Sequence, residues 1–181
     1  MDAELRDELR RAFRWRGDRV DHASYADMTA WWRSPALLRE LGPALAEPFA
    51  VDLPTAVLGV ESRGSLLGPL VALALGAGFV EVRKNHPAAA DSDAWLRQTT
   101  PPDYRDRNLA LGMRGGLLRA GDRALLVDDW IETGSQATAA HRLVLRSGAT
   151  WLGVSTVVDG LVHPRLRHEL NVHSLLTARG L

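Results

Sequence analysis

The sequence predicts an α/β fold in which a parallel sheet is covered by helices. Short apolar runs suited to buried strands alternate with longer segments of helical character, and this strand–helix–strand order occurs twice. Glycines close both of the helices between these strands, at Gly76 and Gly148. The predicted strands are residues 56–60, 79–82, 123–127, 150–158 and 172–176, and the predicted helices between them are residues 65–75 and 135–147.

The flanking segments follow from local patterns. Residues 4–13 place apolar side chains at helical spacing among charges, which predicts an amphipathic surface helix. Ser34 before Pro35 is a good N-cap and first-turn pair, and it predicts a helix that ends near Ala46. The remaining segments are predicted as loops at residues 20–33 and 84–106, a strand at residues 108–111 and a turn at residues 119–122.

Composition limits the classes of function. The chain has 181 residues, a length that suits one domain, with 22 basic and 22 acidic side chains. This balance indicates neither a nucleic acid nor an anionic membrane as a partner. The absence of cysteine excludes disulfides, thiolate catalysis and cysteine-bound zinc. The charged segment Met1–Arg19 is unlike a signal peptide, and the uncharged run 64–80 is short for a membrane span, so we expect a cytoplasmic protein.

A pair of acids followed by a hydroxyl-rich turn is the most informative motif. Asp128-Asp129 ends a predicted strand, and Thr133-Gly134-Ser135-Gln136 opens the next helix. Ligands of parallel sheets bind at the carboxyl ends of the strands, where adjacent carboxylates suit sugar hydroxyls or a hydrated divalent cation. Hydroxyls and free N–H groups at a helix N-terminus suit a phosphate. The motif indicates a ribose-phosphate site, although a capped helix after two solvated aspartates has the same spacing.

With Leu125-Leu126-Val127 before the acids and Ile131 after them, this segment resembles the motif of the type I phosphoribosyltransferases, which bind phosphoribosyl pyrophosphate (PRPP). The resemblance implies that Asp128 and Asp129 are catalytic and hold the ribose hydroxyls. It also implies a single-domain parallel sheet flanked by helices, with an N-terminal helix and small hood in residues 1–34 and the core in residues 35–181. The implied ligands of the 5-phosphate are Glu132, Thr133, Gly134, Ser135 and Gln136.

Two further segments are most similar to the adenine phosphoribosyltransferases. Glu61-Ser62-Arg63-Gly64 resembles their pyrophosphate loop, and the apolar helix and glycine-rich strand entry that follow lead to the basic pair Arg83-Lys84. The resemblance implies that Ser62, Arg63, Gly64, Arg83 and Lys84 bind the leaving pyrophosphate, for which arginine is a bidentate donor. It also implies a homodimer, because this helical region lies near the dimer interface of the family.

A shorter match to the family indicates which residues bind the nucleobase. Tyr25-Ala26-Asp27-Met28-Thr29 is similar to a family segment whose backbone helps to bind the base, so Ser24, Tyr25 and Ala26 are candidate base-binding residues. Trp130, which replaces a smaller apolar residue, either belongs to the core or stacks beside the base. Residues 172–176 resemble the closing strand of the family, so the similarity extends over nearly the whole chain.

The sequence also departs from the family pattern. Glu132 stands where a small residue is usual, and it is either a catalytic proton acceptor or donor at the purine or a cap at the helix start. Gln136 replaces a threonine, and Asn85-His86-Pro87 replaces a Lys-Leu-Pro segment. Tyr104 is available to the loop that would close over the site.

The resemblance implies transfer of a 5-phosphoribosyl group from PRPP to a nucleobase, with a purine, and adenine in particular, favoured; the products are a nucleoside monophosphate and pyrophosphate. The expected cofactor is Mg²⁺, held through PRPP and water rather than by protein side chains. The alternative is a non-catalytic protein on the same fold that senses PRPP or a nucleotide.

Overall fold

The computed structural model describes residues 3–17, 24–85, 94–102 and 108–181. These residues form a central seven-stranded sheet flanked by helices, together with a small two-stranded hairpin. The helices are α1 (Ala3–Ala12), α2 (Thr29–Arg33), α3 (Pro35–Ala46), α4 (Gly64–Leu75), α5 (Ser135–Arg146) and α6 (Pro164–Glu169). The strands are β1 (Arg14–Gly17), β2 (Ser24–Asp27), β3 (Ala56–Val60), β4 (Gly78–Lys84), β5 (Trp95–Thr99), β6 (Ala110–Arg114), β7 (Arg123–Ile131), β8 (Thr150–Asp159) and β9 (Val172–Thr177), and two 3₁₀ helices span Glu47–Asp52 and Ala178–Gly180.

The large sheet is parallel at its centre and antiparallel at one edge. Its strand order is β5-β6-β4-β3-β7-β8-β9, and the five strands from β4 to β9 in this order pair in parallel. Strand β6 pairs antiparallel with both β4 and β5. The prediction of a parallel sheet is therefore confirmed for the centre and wrong for the edge. The predicted loop at residues 84–106 is also wrong where it contains β5, because an edge strand carrying Arg97 and Gln98 lacks the apolar run that marks a buried strand.

Hydrophobic layers cover both faces of the sheet. One layer packs Val57, Leu125 and Val127 against α3 and α4, and the other packs Leu58 and Leu126 against α5. Because successive side chains of a strand point to opposite faces, the buried central strands need apolar residues at every position, as β3 shows. Among the described helices, none has the length and apolar character needed to cross a bilayer.

The N-terminal segment is more regular than the sequence indicates. The prediction for α1 is confirmed, and so is the start of α3, where the Ser34 hydroxyl accepts a hydrogen bond from the Leu37 N–H at 3.3 Å. The predicted loop at residues 20–33 is wrong at Ser24–Asp27, which pairs antiparallel with β1, and at α2. Strand β1 is exposed at every position, so it lacks the apolar alternation by which a sequence pattern indicates a strand.

Helices α1 and α2 join the layer that covers α3. The Trp31 indole N–H donates to the Leu9 carbonyl at 2.9 Å, and both side chains are fully buried beside Leu37 and Leu41. The hood and the core therefore share hydrophobic packing, and the proposed boundary at residue 34 stays a prediction.

Strand β7 is longer than predicted. It continues through Asp128 and Asp129 to Ile131, with Asp128 paired to Thr156 and Trp130 to Val158 of β8. The acidic pair was expected at the end of the strand, because carboxylates interrupt the apolar run. Pairing with β8 instead continues past Val127, the last residue of β7 that pairs with β3, and holds the acidic pair in an extended backbone.

Candidate active site

Asp128 and Asp129 form the centre of the site, near the carboxyl ends of β3 and β7. The Asp129 N–H donates to Asp128 Oδ1 at 2.9 Å, and Arg63 Nη1 donates to Asp129 Oδ2 at 2.8 Å. Asp129 is only 7% exposed, whereas the Arg63 side chain is 45% exposed, so the carboxylate is buried and the guanidinium remains accessible to water. Removal from water, and then the negative charge of Asp129, raise the pKa of the Asp128 carboxyl well above its usual value. The centre holds two carboxylates against one guanidinium and favours additional positive charge.

Arg63 is placed by a tight connection between β3 and α4. A Cβ atom at Gly64 would come 3.0 Å from the Val127 carbonyl oxygen, and one at Gly59 would come 2.2 Å from the Gly64 oxygen. Glycine is therefore required where this loop crosses the adjacent strands. The peptide bond between Glu61 and Ser62 is cis.

The predicted pyrophosphate residues lie around this loop and the end of β4. The Lys84 N–H donates to Glu61 Oε2 at 2.6 Å, and Arg83 Nε lies 3.2 Å from Glu81 Oε2 and 3.7 Å from Glu61 Oε1. One cavity is lined by Glu61, Ser62, Ser65, Glu81 and Lys84. The buried Ser65 Oγ has no hydrogen-bond partner among the described residues, so a hydroxyl in this cavity is available to a ligand.

The predicted phosphate loop is preformed between β7 and α5. Gly134 has φ of 75°, and a Cβ atom there would lie 2.6 Å from Leu166 Cδ2 of α6. The Ser135 hydroxyl donates to the Pro102 carbonyl at 2.7 Å and lies 2.8 Å from Thr133 Oγ1. Because a serine hydroxyl has one proton, Thr133 is the donor between the two hydroxyls. The loop is thus tied to α6 and to the residues that follow β5.

A second cavity joins this loop to the acidic pair. Asp128, Trp130 and Glu132 line it together with the residues of the phosphate loop, and Thr100 and Leu109 close its other side. Glu132 is exposed and makes no hydrogen bond or ion pair with another described residue. Helix α5 begins after Gly134 without a side-chain cap, so the alternative that Glu132 caps this helix is wrong.

Trp130 both packs on the core and faces the cavity. Its ring stacks on Phe13 with a centroid separation of 6.3 Å and an interplanar angle of 22°, and it meets Trp15 edge-on at 6.0 Å. The position of Trp130 therefore fits both alternatives, a core residue and a residue beside the base, because its side chain is half-buried. The sequence analysis missed Trp15, for which the only signal is an isolated aromatic residue among arginines.

The candidate base-binding residues of β2 do not all face Trp130. Residues directly opposite each other in an antiparallel pair share a face, so Trp15 and Ala26 lie on one face of the hairpin and Arg16 and Tyr25 on the other. Tyr25 is 62% exposed. Among the other sequence candidates, the side chain of Ser24 and the residues His86, Pro87 and Tyr104 lie outside the described residues.

Asp159 is another residue that the sequence analysis missed. It lies at the end of β8, is 7% exposed, and accepts hydrogen bonds from Arg167 Nε at 2.5 Å and from the Leu161 N–H at 2.8 Å. These contacts hold α6 over the phosphate loop, where Leu166 meets Gly134. An acid before a glycine at the end of an apolar strand is the signal that could have indicated this role. No three carboxylate or imidazole side chains of the described residues converge as a metal site.

Solved structures similar to this fold include adenine phosphoribosyltransferases. Adenine phosphoribosyltransferase from Rhodothermus marinus is 33% identical and superposes with a TM-score of 0.80, covering 97% of this chain and 99% of its own. The enzyme from Saccharomyces cerevisiae, solved with an imino-altritol bisphosphate and adenine, is 29% identical with a TM-score of 0.77, covering 97% of this chain and 100% of its own. The predicted type I phosphoribosyltransferase fold is confirmed.

Sequence relatives carry the same name, although no protein-family model matches the sequence. Adenine phosphoribosyltransferase from Streptomyces coelicolor is 36% identical over 146 residues, which are 80% of this chain and 78% of the relative. The enzyme from Anaeromyxobacter dehalogenans is 36% identical over 155 residues, which are 84% of this chain and 87% of the relative. Similarity at this level over most of both chains shows that the protein belongs to the adenine phosphoribosyltransferase family.

Proposed function

We propose that this protein transfers the 5-phosphoribosyl group of PRPP to adenine, giving AMP and pyrophosphate, as an enzyme of purine salvage. The observation that carries the proposal is the acidic pair Asp128-Asp129, in which Arg63 binds Asp129 and Asp128 lines the cavity of the phosphate loop, together with the cavity at Ser62 and Lys84. A ribose with a 5-phosphate at one end and a pyrophosphate at the other needs hydrogen-bond donors at both ends and acceptors for its hydroxyls between them. The relatives' names add the identity of the base.

The acidic pair would act on the ribose. Its carboxylates would accept hydrogen bonds from the ribose hydroxyls and stabilise the positive charge that develops at the anomeric carbon as its bond to pyrophosphate breaks and its bond to the purine nitrogen forms. Because Asp128 and Asp129 lie in the part of β7 that pairs with β8, they would need little reorganisation on binding.

The leaving pyrophosphate would bind in the cavity beside Arg63. Ser62, Gly64, Arg83 and Lys84 would supply further donors, and Arg63 would exchange its contact with Asp129 for phosphate oxygens. Two carboxylates against one guanidinium fit an additional cation, so Mg²⁺ carried by PRPP and water is compatible with Asp128 and Asp129. When bound, this ion would neutralise part of the pyrophosphate charge.

The 5-phosphate would bind at the N-terminus of α5. Thr133, Gly134, Ser135 and Gln136 would supply hydroxyl, backbone and amide donors there. Glu132, beside this loop and without a partner among the described residues, would exchange a proton with the purine instead of contacting the phosphate. Ser24, Tyr25, Ala26 and Trp130 stay the proposed residues of the base side.

Pyrophosphate release from PRPP and Mg²⁺ with each nucleobase in turn tests the activity. We expect adenine to give the highest kcat/KM. PRPP binding without turnover of any base would contradict the proposed transfer and support the sensor alternative.

Calorimetry of PRPP with Mg²⁺ tests the acidic pair. In the double variant Asp128→Asn/Asp129→Asn, we expect a loss of affinity of roughly 100-fold, since two charged hydrogen-bond acceptors are lost. Asp52→Asn, an exposed carboxylate outside both cavities, is the matched control and should bind as the wild type does. Undiminished affinity in the double variant would contradict the role of the pair.

We also propose a homodimer that buries the outer face of α4, and a cytoplasmic location. Leu66 and Leu73 lie two helical turns apart on this helix and are 54% and 81% exposed. Large apolar side chains that share an exposed helix face are typical of a surface that is covered by a partner.

A further inference from the structure

We infer that Trp15 stacks on the purine and forms, beside Trp130, the outer wall of the base pocket. The inference rests on the proposed function. The sequence prediction placed Ser24, Tyr25, Ala26 and Trp130 at the base and did not include Trp15.

The pairing of the hairpin decides which aromatic side chain faces the site. Trp15 is opposite Ala26, and both belong to the hairpin face that looks toward the core, where Ala26 packs beside Phe13 and Trp31. Tyr25 lies on the other face with Arg16 and Asp27, whose side chains form an ion pair. Only the first of these faces is turned toward Trp130.

The rings around Trp130 leave Trp15 partly free. Phe13 is buried and meets Trp15 edge-on at 5.2 Å, and Trp130 meets Trp15 in the same way at 6.0 Å. Trp15 nevertheless stays 47% exposed. Both contacts are perpendicular and fix the orientation of the indole, and its exposed part leaves room for a flat aromatic ligand to stack on it.

The position of this indole fits the base. Trp130 follows Asp129 directly and lines the same cavity as Asp128 and Glu132, so the rings lie beside the carboxylates that would hold the ribose. A purine bonded to the anomeric carbon has to extend away from the ribose on one side of Asp128 and Asp129. On the side of the hairpin it would meet the exposed part of Trp15, and a purine gains from such stacking whatever its exocyclic groups are.

Leucine and phenylalanine at position 15 test the inference. Trp15→Leu keeps an apolar side chain but removes the aromatic face, whereas Trp15→Phe keeps a smaller aromatic face. We expect Trp15→Leu to raise the KM for adenine about tenfold, to change the KM for PRPP less than about twofold, and to remove most of the change in tryptophan fluorescence on AMP binding. Trp15→Phe should restore much of the adenine KM.

Trp151→Phe is the control, because Trp151 packs on His141 on the far side of the sheet, and it should retain the wild-type KM values and most of the fluorescence response. If Trp15→Leu retains the wild-type adenine KM and fluorescence response, the inference is wrong. It is also wrong if both variants raise the two KM values equally and lower the melting temperature, since Trp15 then only anchors the hairpin. If the wild type produces no pyrophosphate but AMP still changes the fluorescence through Trp15, the proposed activity fails and the stacking role stands.

Discussion

At the scale of single residues, the site combines groups that stabilise the fold with groups that destabilise it. Asp129 forms an ion pair with Arg63, whereas Asp128 accepts a backbone hydrogen bond and lies against a second carboxylate. The environment therefore favours the protonated form of Asp128, and its ionised form costs stability in the absence of substrate. Such a cost is expected where a site is built to receive positive charge.

Asp128→Asn should consequently stabilise the substrate-free protein at neutral pH. The pKa of Asp128 is higher in the folded than in the unfolded state, so between the two pKa values the folded state binds more protons and stability falls as the pH rises. Above the unfolded-state pKa this penalty is present, and asparagine removes it while its side-chain oxygen still accepts from the Asp129 N–H. We expect the melting temperature to rise by about 2–4 °C, with a gain that disappears as the pH is lowered through the unfolded-state pKa.

Asp129→Asn is the comparison for this prediction. It breaks the ion pair with Arg63 and should lower the melting temperature at pH 7, although the two substitutions remove the same charge from adjacent positions. Equal effects of the two substitutions, measured by calorimetry at several pH values, would contradict the different environments of the two carboxylates.

At the scale of elements, strong local patterns predicted the structure well and pairings across the chain were missed. The apolar runs of β3 and β8 and the cap of α3 are local, and each was predicted close to its observed bounds. Strands β1 and β5 contain no buried residue, and neither does the six-residue helix α6, so none of them has an apolar pattern that marks it in the sequence. The missed site residues have the same cause, because Trp15 reaches Trp130 only through the hairpin and Asp159 reaches the phosphate loop only through α6.

The contact between α6 and the phosphate loop can be tested at Gly134. Alanine there would have to adopt φ of 75° and would also clash with Leu166 Cδ2 at 2.6 Å. Gly76→Ala is a matched control, since Gly76 has φ of 65° but nothing within 4 Å of the added atom. Both substitutions should lower the free energy of unfolding by about 1 kcal/mol through backbone strain. Gly134→Ala should lower it further and should also weaken the binding of ribose 5-phosphate.

A second substitution separates the two causes at Gly134. Leu166→Ala in the Gly134→Ala background removes the clashing atom and should restore part of the melting temperature and of the ribose 5-phosphate affinity. Equal stability of Gly134→Ala and Gly76→Ala, with unchanged ribose 5-phosphate binding in calorimetry, would show that α6 does not constrain the loop.

At the scale of the whole molecule, the proposed dimer surface is continuous with the site. Helix α4 begins at Gly64, in the loop that carries Arg63, and its inner face packs Leu67 and Val71 into the core. The outer face of the same helix exposes Leu66 and Leu73. A partner that covers this face would also restrain the start of the helix, and association would therefore support the pyrophosphate loop without contributing a side chain to it.

Leu73→Glu should shift the protein from dimer to monomer. Leu73 is 81% exposed and lies at the end of α4 away from the pyrophosphate loop, so a charge there costs the monomer little but would have to be buried in the dimer. Light scattering coupled to gel filtration at micromolar concentration measures the mass. Leu145→Glu on α5, where the leucine is 56% exposed, introduces the same charge on another helix and should leave the dimer intact. A wild-type protein that elutes as a monomer, or equal dissociation by both substitutions, would contradict an interface on α4.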